Sequence, residues 1–418
     1  MIDREGTAPR GLGRSYGDAA LNAGGRVLGT PRMNRLLAFD PATGTLACEA
    51  GVSLAEIIRV FGPRGFFPMI TPGTKFVTVG GCIANDIHGK AHHAQGSFSN
   101  CVDSMVVLLA SGDVVTASRD ENADLFWGSF GGMGLLGIVL AATIRLHRIE
   151  TTNFRQKKIL AYDLEGMMDA LDESDHAFPY SVATLDIMAT GPRIGGGILV
   201  VGDHATRAEL PPEFAAEPLR LSPSAPLVSV PFELPQFTLN RFTIALVNEV
   251  ILFIQRTPAN YAHYEGFFYP LDMLANLYRG YGPAGFTQYQ FVIPFAEGRR
   301  DLRRILDVIF SSGELPFLNV LKRMGKESGG VLSFPREGYT FAIDFPIRRN
   351  TIALLRRIDR MILDAGGRIY LGKDSYVEAD TFRAMYPRID EWLAIKAKYD
   401  PDNVFTSDLG RRVGLVPR

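Results

Sequence analysis

The sequence predicts a protein of two domains that contain both helices and strands. Its 418 residues are more than one compact core usually holds. The first 150 residues are rich in glycine and in short β-branched runs, which is typical of strands separated by turns. After about residue 151, amphipathic helical patterns alternate with strand patterns. We therefore expect a domain boundary near residue 151.

The first domain is predicted to contain an early capped helix, a hairpin, and a second helix that precedes a strand. Ser53 is a suitable N-cap for a helix that ends at Gly62-Pro63. The turn at 111–113 joins two β-branched runs, as in a hairpin. Residues 120–130 have a helical pattern, and residues 137–146 have that of a strand.

The second half is predicted to alternate strands with helices. Helical patterns cover 161–174, 297–313 and 350–367, and strand patterns cover 198–204, 287–294 and 339–346. From residue 381 the chain is predicted to be helical up to Tyr399, because Asp400-Pro401 cannot continue a helix.

The composition excludes several functional classes. Lys and Arg total 44 against 45 Asp and Glu, and a net charge of −1 provides no broad positive surface for nucleic acid. Cys48, Cys82 and Cys101 have no CxxC spacing, so neither a disulfide framework nor a thiolate metal site is predicted. We expect no metal and no nucleic-acid partner.

The apolar segments favour a cytoplasmic protein and leave peripheral membrane contact open. The N-terminus has no apolar core of signal-peptide length, and no apolar stretch reaches the roughly 20 residues that span a bilayer. Residues 242–254 are apolar but include Asn248 and Glu249. This segment is predicted to be either a core helix of the second domain or a helix that lies on a membrane surface.

The densest motif is RGLGRSYGD, from Arg10 to Asp18. Its glycines let the backbone approach a charged group, so the loop could hold a pyrophosphate, although an ordinary glycine-rich turn has the same composition. GRSYG also fits the GxSxG pattern of serine hydrolases, with Ser15 as nucleophile. That pattern must follow a core strand, and only fourteen residues precede Ser15.

Three weaker patterns leave alternatives open. GGMGLLG at 131–137 fits GxGxxG, but the helix and strand around it are in the wrong order for a dinucleotide fold. His88, His92 and His93 lack the helical spacing and carboxylate of a zinc site. Gln288 and Gln290 alternate on a predicted strand and share one face, which either binds a polyhydroxylated ligand or is simply exposed.

Several segments occur in the order that one enzyme family shows. They are RGLGRSYGD, TPGT with VGG, NDIHGKAHH, DLFWGSFGGMGLLGI, FYPLD, QYQFVIP, FLNVLKRMG, DFP and YLGKDS. From about Arg10 to the C-terminus, the chain strongly resembles the flavin-dependent decaprenylphosphoryl-ribose oxidases of the vanillyl-alcohol oxidase superfamily. The blocks NDIHGKAHH and FGGMGLLGI are the most specific parts of this resemblance.

The resemblance implies an α+β fold with two domains. An FAD-binding domain of two subdomains would comprise residues 1–151 and be completed by 368–418. A substrate domain, residues 152–367, would have an antiparallel sheet flanked by helices. Family members carry a further strand-helix-strand segment before RGLGRSYGD, whereas nine residues precede Arg10 here, so the first subdomain is expected to be short.

The resemblance also implies FAD as the cofactor. Many oxidases of the superfamily link flavin to a histidine in the first loop, where this chain has Gly13-Arg14-Ser15-Tyr16, so FAD is expected to be non-covalent. The residues that the resemblance assigns to FAD are Arg10, Gly11, Leu12, Gly13, Arg14, Ser15, Tyr16, Gly17, Asp18, Ala19, Gly73, Thr78, Val79, Gly80, Gly81, Asn85, Asp86, Ile87, His88, Gly89, Val139 and Tyr370.

The implied catalytic residues are Lys373, with Tyr16 nearby and His88 against the flavin ring. A lysine with a lowered pKa could act as a base, whereas a charged one would stabilise an alkoxide or bind phosphate, and both roles stay open. The residues expected at the substrate are Lys90, Gln288, Gln290, Asn319, Lys322 and Lys373.

The implied substrate is a polyprenyl-phosphoryl ribose, oxidised at the 2-hydroxyl to a keto sugar. A short-chain NADH-dependent reductase would complete epimerisation to the arabinose donor for cell-wall arabinan. Two positions depart from familiar members: Ala342 stands in place of a cysteine and Phe268 in place of a tyrosine. Three alternatives are an oxidase of a soluble sugar, polyol or aldonolactone, a serine hydrolase on Ser15, and a flavin-free protein that binds polyprenyl phosphates.

Overall fold

The computed structural model describes residues 6–186, 189, 191–222, 226, 228–256 and 260–418. Two antiparallel sheets organise this part of the chain, one of six strands and one of eight. The first five residues of the predicted FAD-binding domain lie outside the described residues.

Residues 6–150 form the six-stranded sheet, a parallel strand pair and four short α-helices. The strands are β1 (Thr7–Arg10), β2 (Arg26–Gly29), β3 (Leu36–Asp40), β4 (Thr45–Glu49), β5 (Phe66–Pro68), β6 (Val102–Leu108), β7 (Val114–Ser118) and β8 (Ile138–Arg148). The helices are α1 (Leu54–Phe61), α2 (Val79–Asn85), α3 (His92–Gln95) and α4 (Ala123–Ser129). The sheet has the order β3-β4-β8-β6-β7, β5 pairs with β8, and β1 pairs with β2.

Local signals in this region gave the correct elements. Ser53 caps α1 through a capping box with Glu56, in which the Ser53 hydroxyl accepts from the Glu56 amide at 3.2 Å. Strands β6 and β7 form the hairpin predicted at 111–113. Helix α4 precedes β8, so the order around GGMGLLG is the reverse of a dinucleotide-binding unit, as predicted.

The second half forms the eight-stranded sheet with the order β13-β9-β11-β10-β16-β17-β15-β18. The strands are β9 (Asn153–Ala161), β10 (Tyr180–Leu185), β11 (Gly197–His204), β12 (Val228–Ser229), β13 (Tyr261–His263), β14 (Leu274–Ala275), β15 (Phe286–Ile293), β16 (Asn319–Met324), β17 (Gly338–Pro346) and β18 (Arg368–Ile369). The helices are α5 (Leu164–Ser174), α6 (Pro212–Ala215), α7 (Arg241–Arg256), α8 (Tyr264–Phe268), α9 (Phe295–Ser311), α10 (Thr351–Asp364), α11 (Ala379–Met385), α12 (Ile389–Tyr399) and α13 (Asp408–Arg412).

These elements confirm the predicted α+β class. Both large sheets are antiparallel, and helices α5, α9 and α10 bury their apolar residues against the larger one. The first sheet ends at Arg148 and the second begins at Asn153. The domain limits themselves stay predictions.

The C-terminal segment returns to the first domain. The Trp392 indole donates to the Gly128 carbonyl at 2.9 Å, and the Lys396 ammonium group donates to the Leu135 carbonyl at 2.7 Å. The expectation of one continuous helix up to Tyr399 is wrong, because the segment is split into α11 and α12 around Pro387. Proline lacks the amide that a helix interior requires, so the break falls at this residue.

Helix α7 covers the apolar segment predicted at 242–254, and it is not a core helix. Ile244 and Leu252 are buried, but Phe242, Leu246 and Val250 are exposed. Among the described side chains of the helix, the buried ones therefore lie on one side. None of the described helices combines the length and the apolar character needed to cross a bilayer.

Candidate functional site

One face of the larger sheet brings together most of the polar residues singled out in the sequence. Gln288 pairs with Asp344, Gln290 with Ala342, and Lys322 with Thr340 in the registers of β15, β16 and β17. Because side chains alternate along a strand, these residues lie on the same face. Gln288 and Gln290 are buried, so the alternative of an exposed polar strand is wrong.

Asp344 is the carboxylate on this face. It is buried and accepts hydrogen bonds from the Tyr281 hydroxyl at 2.8 Å and from the Gln288 amide at 2.6 Å. Burial raises the pKa of Asp344 to about 6, so the group is mostly ionised at neutral pH. Sequence reasoning gave Asp344 no role in the site, since only the strand register shows that it faces Gln288.

Two other lysines, Lys90 and Lys373, lie close enough to Lys322 for their charges to act on it, and the Lys90 ammonium also donates to the Phe267 carbonyl. Loss of solvent lowers the pKa of Lys90 and of Lys322 to about 7, and the charges of Lys373 and Lys90 contribute to the shift at Lys322. Loss of solvent also lowers the pKa of Lys373 to about 8, against the opposing influence of Asp344. Such a cluster favours a bound anion, which would compensate the repelling charges.

His88 lies close to the lysines and to the aromatic ring of Tyr370. Its Nε2 lies 3.0 Å from the Gln290 amide nitrogen, and its ring lies 5.2 Å from that of Tyr370. Burial, with the charge of Lys322 next in weight, holds the pKa of His88 well below its ordinary value. A neutral ring that accepts at Nε2 carries its proton on Nδ1, and this buried Nδ1 has no hydrogen-bond partner among the described residues.

The loop from Arg10 to Ala19 packs against the turn that carries Lys373. The Tyr16 amide donates to the Gly372 carbonyl at 3.2 Å, and the Lys373 ammonium lies 5.5 Å from the centre of the Tyr16 ring. Arg412 pairs with Asp18 at 2.7 Å and with Asp374 at 2.9 Å, which fastens both segments to α13. Tyr16 as a whole is 44% exposed, but loss of solvent around its hydroxyl, with the charge of Asp344 next, raises its pKa.

The same loop offers unused backbone donors. Within the described part of the chain, the amides of residues 12–15 donate to no protein group. Nearby, a Cβ atom added to Gly73 would meet open space, and one added to Gly81 would approach only the Thr78 hydroxyl. The carboxamide oxygen of Asn85 is buried without a partner, as is His88 Nδ1. Free amides, open glycines and unpaired polar atoms together fit a pyrophosphate cofactor such as FAD.

Other predicted backbone contacts are already used within the protein. The amides of Val79 and Gly80 donate to the carbonyls of Val52 and Ala50, so they are not free for a cofactor. At Gly17 a Cβ atom would lie 1.9 Å from the Asp374 carbonyl. Glycine is therefore required at this position by an approaching protein segment, whatever the cofactor requires of the loop.

Asp86 and Asn319 were both expected at the site, but in the structure their side chains are engaged elsewhere. The Asp86 carboxylate accepts hydrogen bonds from the hydroxyls of four serines, which are Ser97, Ser99, Ser328 and Ser333. These bonds stabilise the turn before His88. Asn319 lies on the opposite face of β16 from Lys322, and its amide bonds to the main chain of Leu185 at 2.9 and 3.0 Å. Asn319 is thus wrong as a substrate residue.

The remaining candidate residues make contacts within the protein. Thr78 caps α2, Ile87 is buried in the core, and Val139 packs against that core from β8. His88, His92 and His93 bond to Gln290, Gly325 and Phe178 respectively, so the three rings do not converge on one point. Among the described residues, no histidine bonds to Ser15, which a serine hydrolase would require.

Comparison with known proteins gives two matching family profiles. Residues 4–118 match a profile described as an FAD binding domain, and residues 283–413 match one described as D-arabinono-1,4-lactone oxidase. The first match includes the loop with free amides, and the second includes Gln288, Lys322 and Lys373.

Individual relatives are also oxidoreductases. The chain is 40% identical to decaprenylphosphoryl-beta-D-ribose oxidase of Mycolicibacterium smegmatis, over 98% of this chain and 90% of that protein. It is 23% identical to L-gulono-1,4-lactone dehydrogenase of Mycobacterium tuberculosis, over 96% and 89% of the two chains. Xylooligosaccharide oxidase of Thermothelomyces thermophilus is 35% identical over 31% of this chain and 27% of its own.

Proposed function

Because the chain belongs to the decaprenylphosphoryl-β-D-ribose oxidase family, and is an FAD-dependent oxidoreductase, we propose that it oxidises a polyprenyl-phosphoryl ribose. The oxidised group is the 2-hydroxyl of the ribose, and the product is the 2-keto sugar. The observation that carries the proposal is the cluster of three lysines beside His88 and Gln290. A soluble neutral sugar would not need this positive charge, whereas a phosphodiester would neutralise it.

The cofactor contacts follow from the open positions of the first domain. The loop at 12–15 would hold the pyrophosphate with its free amides, and Gly73 and Gly81 would leave room for the cofactor. Asn85 and His88 would supply polar atoms beside the ring system. When bound, FAD supplies the acceptor for the hydride that a secondary alcohol loses on oxidation.

The chain's own residues would bind and deprotonate the substrate. Lys90 and Lys322 would hold the phosphate, and Gln290 would hold the sugar while it keeps the neutral His88 in one tautomer. Lys373 would take the proton of the reacting hydroxyl, because its pKa of about 8 leaves a fraction of neutral amine at neutral pH. Asp344 would stabilise the protonated lysine that results.

The decisive experiment is anaerobic mixing of the purified holoenzyme with defined sugars. Decaprenylphosphoryl ribose is expected to bleach the flavin absorbance, while ribose, ribose 5-phosphate and L-gulono-1,4-lactone are not. The second candidate is an aldonolactone oxidase, which the profile match at 283–413 and the L-gulono-1,4-lactone dehydrogenase relative favour. Fast bleaching by the lactone and none by the lipid phosphate would replace the first candidate with the second.

The proposal extends to the partners of the reaction. A 2-keto sugar must be reduced again to complete an epimerisation, so a short-chain NADH-dependent reductase is the proposed next enzyme. A polyprenyl substrate resides in a membrane, so we also propose a cytoplasmic enzyme that contacts the membrane surface.

FAD is expected to leave the protein on acid precipitation. The first loop carries Ser15 and Tyr16 where a histidine link would stand, and Cys48, Cys82 and Cys101 are all buried. Absorbance spectra of the supernatant and the pellet measure this directly. Yellow colour that stays in the pellet would reveal a covalent bond and contradict the prediction.

Lys322→Met is expected to stabilise the holoenzyme at pH 7 and to lose this advantage as the pH rises towards 10. The pKa of Lys322 is about 7 in the folded protein against an ordinary 10.5, so between these values the unfolded chain binds more protons. Wild-type stability therefore rises with pH across this window. We expect a gain of about 2 °C in Tm at pH 7.

The measurement is a set of melting curves with and without inorganic phosphate. Phosphate should raise the Tm of the wild type more than that of Lys322→Met, because the anion relieves the repulsion among the lysines. Lys326→Met, a change at an exposed lysine of the same strand-turn region, is the control. Equal phosphate effects in all three proteins would contradict the anion-binding role of Lys322.

A further inference from the structure

Helix α7 exposes an apolar stripe on the side that faces away from the protein. Phe242, Leu246 and Val250 are 77%, 57% and 50% exposed. They are four residues apart, so they form one line about 12 Å long on the helix surface. On the opposite side Ile244, Asn248 and Leu252 are buried. Phe237, which is also exposed, stands just before the helix. These four exposed residues, Phe237, Phe242, Leu246 and Val250, are called the α7 face below.

The α7 face lies next to the candidate active site. Ile244 packs with Leu315 and Phe317 under the helix. The Phe317 ring lies 5.6 Å from that of Tyr281, and the Tyr281 hydroxyl bonds to Asp344 at 2.8 Å. Two side chains in series, Phe317 and Tyr281, therefore connect the underside of the helix with Asp344 on the polar face of the sheet.

The charges around the α7 face are mainly positive. Arg241 and Arg348 line a recess of about 550 Å³ together with Phe237 and Leu239. Arg348 donates to the Leu239 carbonyl at 2.6 Å, and Arg279 donates to the Pro231 carbonyl at 2.8 Å, so these partners leave the cationic charge uncompensated. Arg256 ends the helix. The acidic residues are Glu249 in the helix, Glu233 before it, and Asp186, which accepts from the Asn248 amide on the packed side at 2.8 Å.

We propose that the α7 face docks the protein on an anionic lipid surface, which presents the active site to a lipid-borne substrate. An apolar stripe edged by arginines suits the boundary between acyl chains and anionic headgroups. A second copy of the chain fits less well, because a two-fold contact would bring the same arginines together. The inference rests on the proposed function for its substrate, but the surface itself can be tested without any substrate.

The test is flotation of the FAD-loaded protein with lipid vesicles. Vesicles of equimolar phosphatidylcholine and phosphatidylglycerol are expected to bind the wild type, and phosphatidylcholine alone to bind it less. Leu246→Gln/Val250→Gln should lower the vesicle partition constant by about tenfold or more, since two apolar side chains no longer enter the lipid. Glutamine keeps a good helix propensity, so the helix itself should persist.

The chain offers a matched control on the other sheet. Leu37→Gln/Val114→Gln replaces the same two residue types, which are 52% exposed at Leu37 and 57% exposed at Val114. Because these residues lie outside the α7 face, vesicle binding should be unchanged. Equal vesicle binding by both double variants, or none by the wild type, would overturn the proposal. So would a wild-type dimer in sedimentation equilibrium that Leu246→Gln/Val250→Gln converts to monomer, because the face would then bind a second copy.

Flavin content and anaerobic bleaching separate this proposal from the proposed function. Vesicle binding that depends on the α7 face, without bleaching by decaprenylphosphoryl ribose, would retain the docking surface and reject the substrate. Bleaching by detergent-dispersed substrate, without vesicle binding, would retain the substrate and reject the docking surface.

Discussion

Replacing Lys373 by alanine is expected to leave FAD bound and to slow flavin reduction by the substrate about 10³-fold. The ammonium group lies over Tyr16, and the turn that carries it is fixed by the contacts of Arg412 with Asp18 and Asp374. Truncation at Cβ removes the amine without touching these anchors. The protein should therefore fold, bind flavin and fail in the proton transfer.

The pH dependence of the same step distinguishes the two roles that a lysine could have here. If the neutral amine is the base, flavin reduction in the wild type should rise as the pH increases through about 8, the pKa of Lys373. If the charged amine stabilises an alkoxide, the rate should fall over the same range. We expect the rise, and we expect Lys373→Ala to lose it.

Stopped-flow absorbance under anaerobic conditions measures both quantities. Lys326→Ala, at an exposed lysine, is the control for removal of one positive charge. Wild-type rates of bleaching in Lys373→Ala would remove the lysine from the chemistry and leave it as a phosphate contact.

The site is predictable from the sequence where a short-range pattern decides the outcome. The alternation of Gln288 and Gln290 placed both amides on one face of β15, which the structure confirms. The two-residue period of a strand also excludes Asn319 from the face that carries Lys322. Positions 319 and 322 differ by an odd number, so their side chains point to opposite faces of β16. Pro387 is likewise sufficient to split the C-terminal helix. Local geometry alone therefore argues against a substrate contact at Asn319 and against a continuous helix through Pro387.

Other features depend on contacts between distant segments. The Asp86 carboxylate gathers hydroxyls from residues up to 247 positions away, and nothing local in its motif indicates this. Asp344 enters the site only through the pairing of β17 with β15. The exposed side of α7 is equally hidden from the sequence, because its apolar residues occupy both sides of the helix and only packing shows which side is covered.

Gly81→Val is expected to yield a folded protein that has lost FAD, with an affinity at least about 10²-fold weaker. Gly81 lies in α2 with a negative φ, and a Cβ atom there would approach only the Thr78 hydroxyl at 3.1 Å. The Thr78 hydroxyl, which caps α2, would have to shift by a few tenths of an ångström, and no other protein atom lies within 4 Å of the added Cβ atom. The added methyl groups would instead fill the open space beside α2 that we assign to the cofactor.

Gly266→Val makes the same change in helix α8, where a Cβ atom would meet no atom within 4 Å and φ is again negative. It should keep full flavin content, so the pair separates loss of cofactor space from a general effect of valine in a short helix. Flavin absorbance relative to protein, circular dichroism and titration with FAD measure the outcome. A Gly81→Val protein that stays fully loaded would place the cofactor elsewhere, and the free amides at 12–15 would then need another anion.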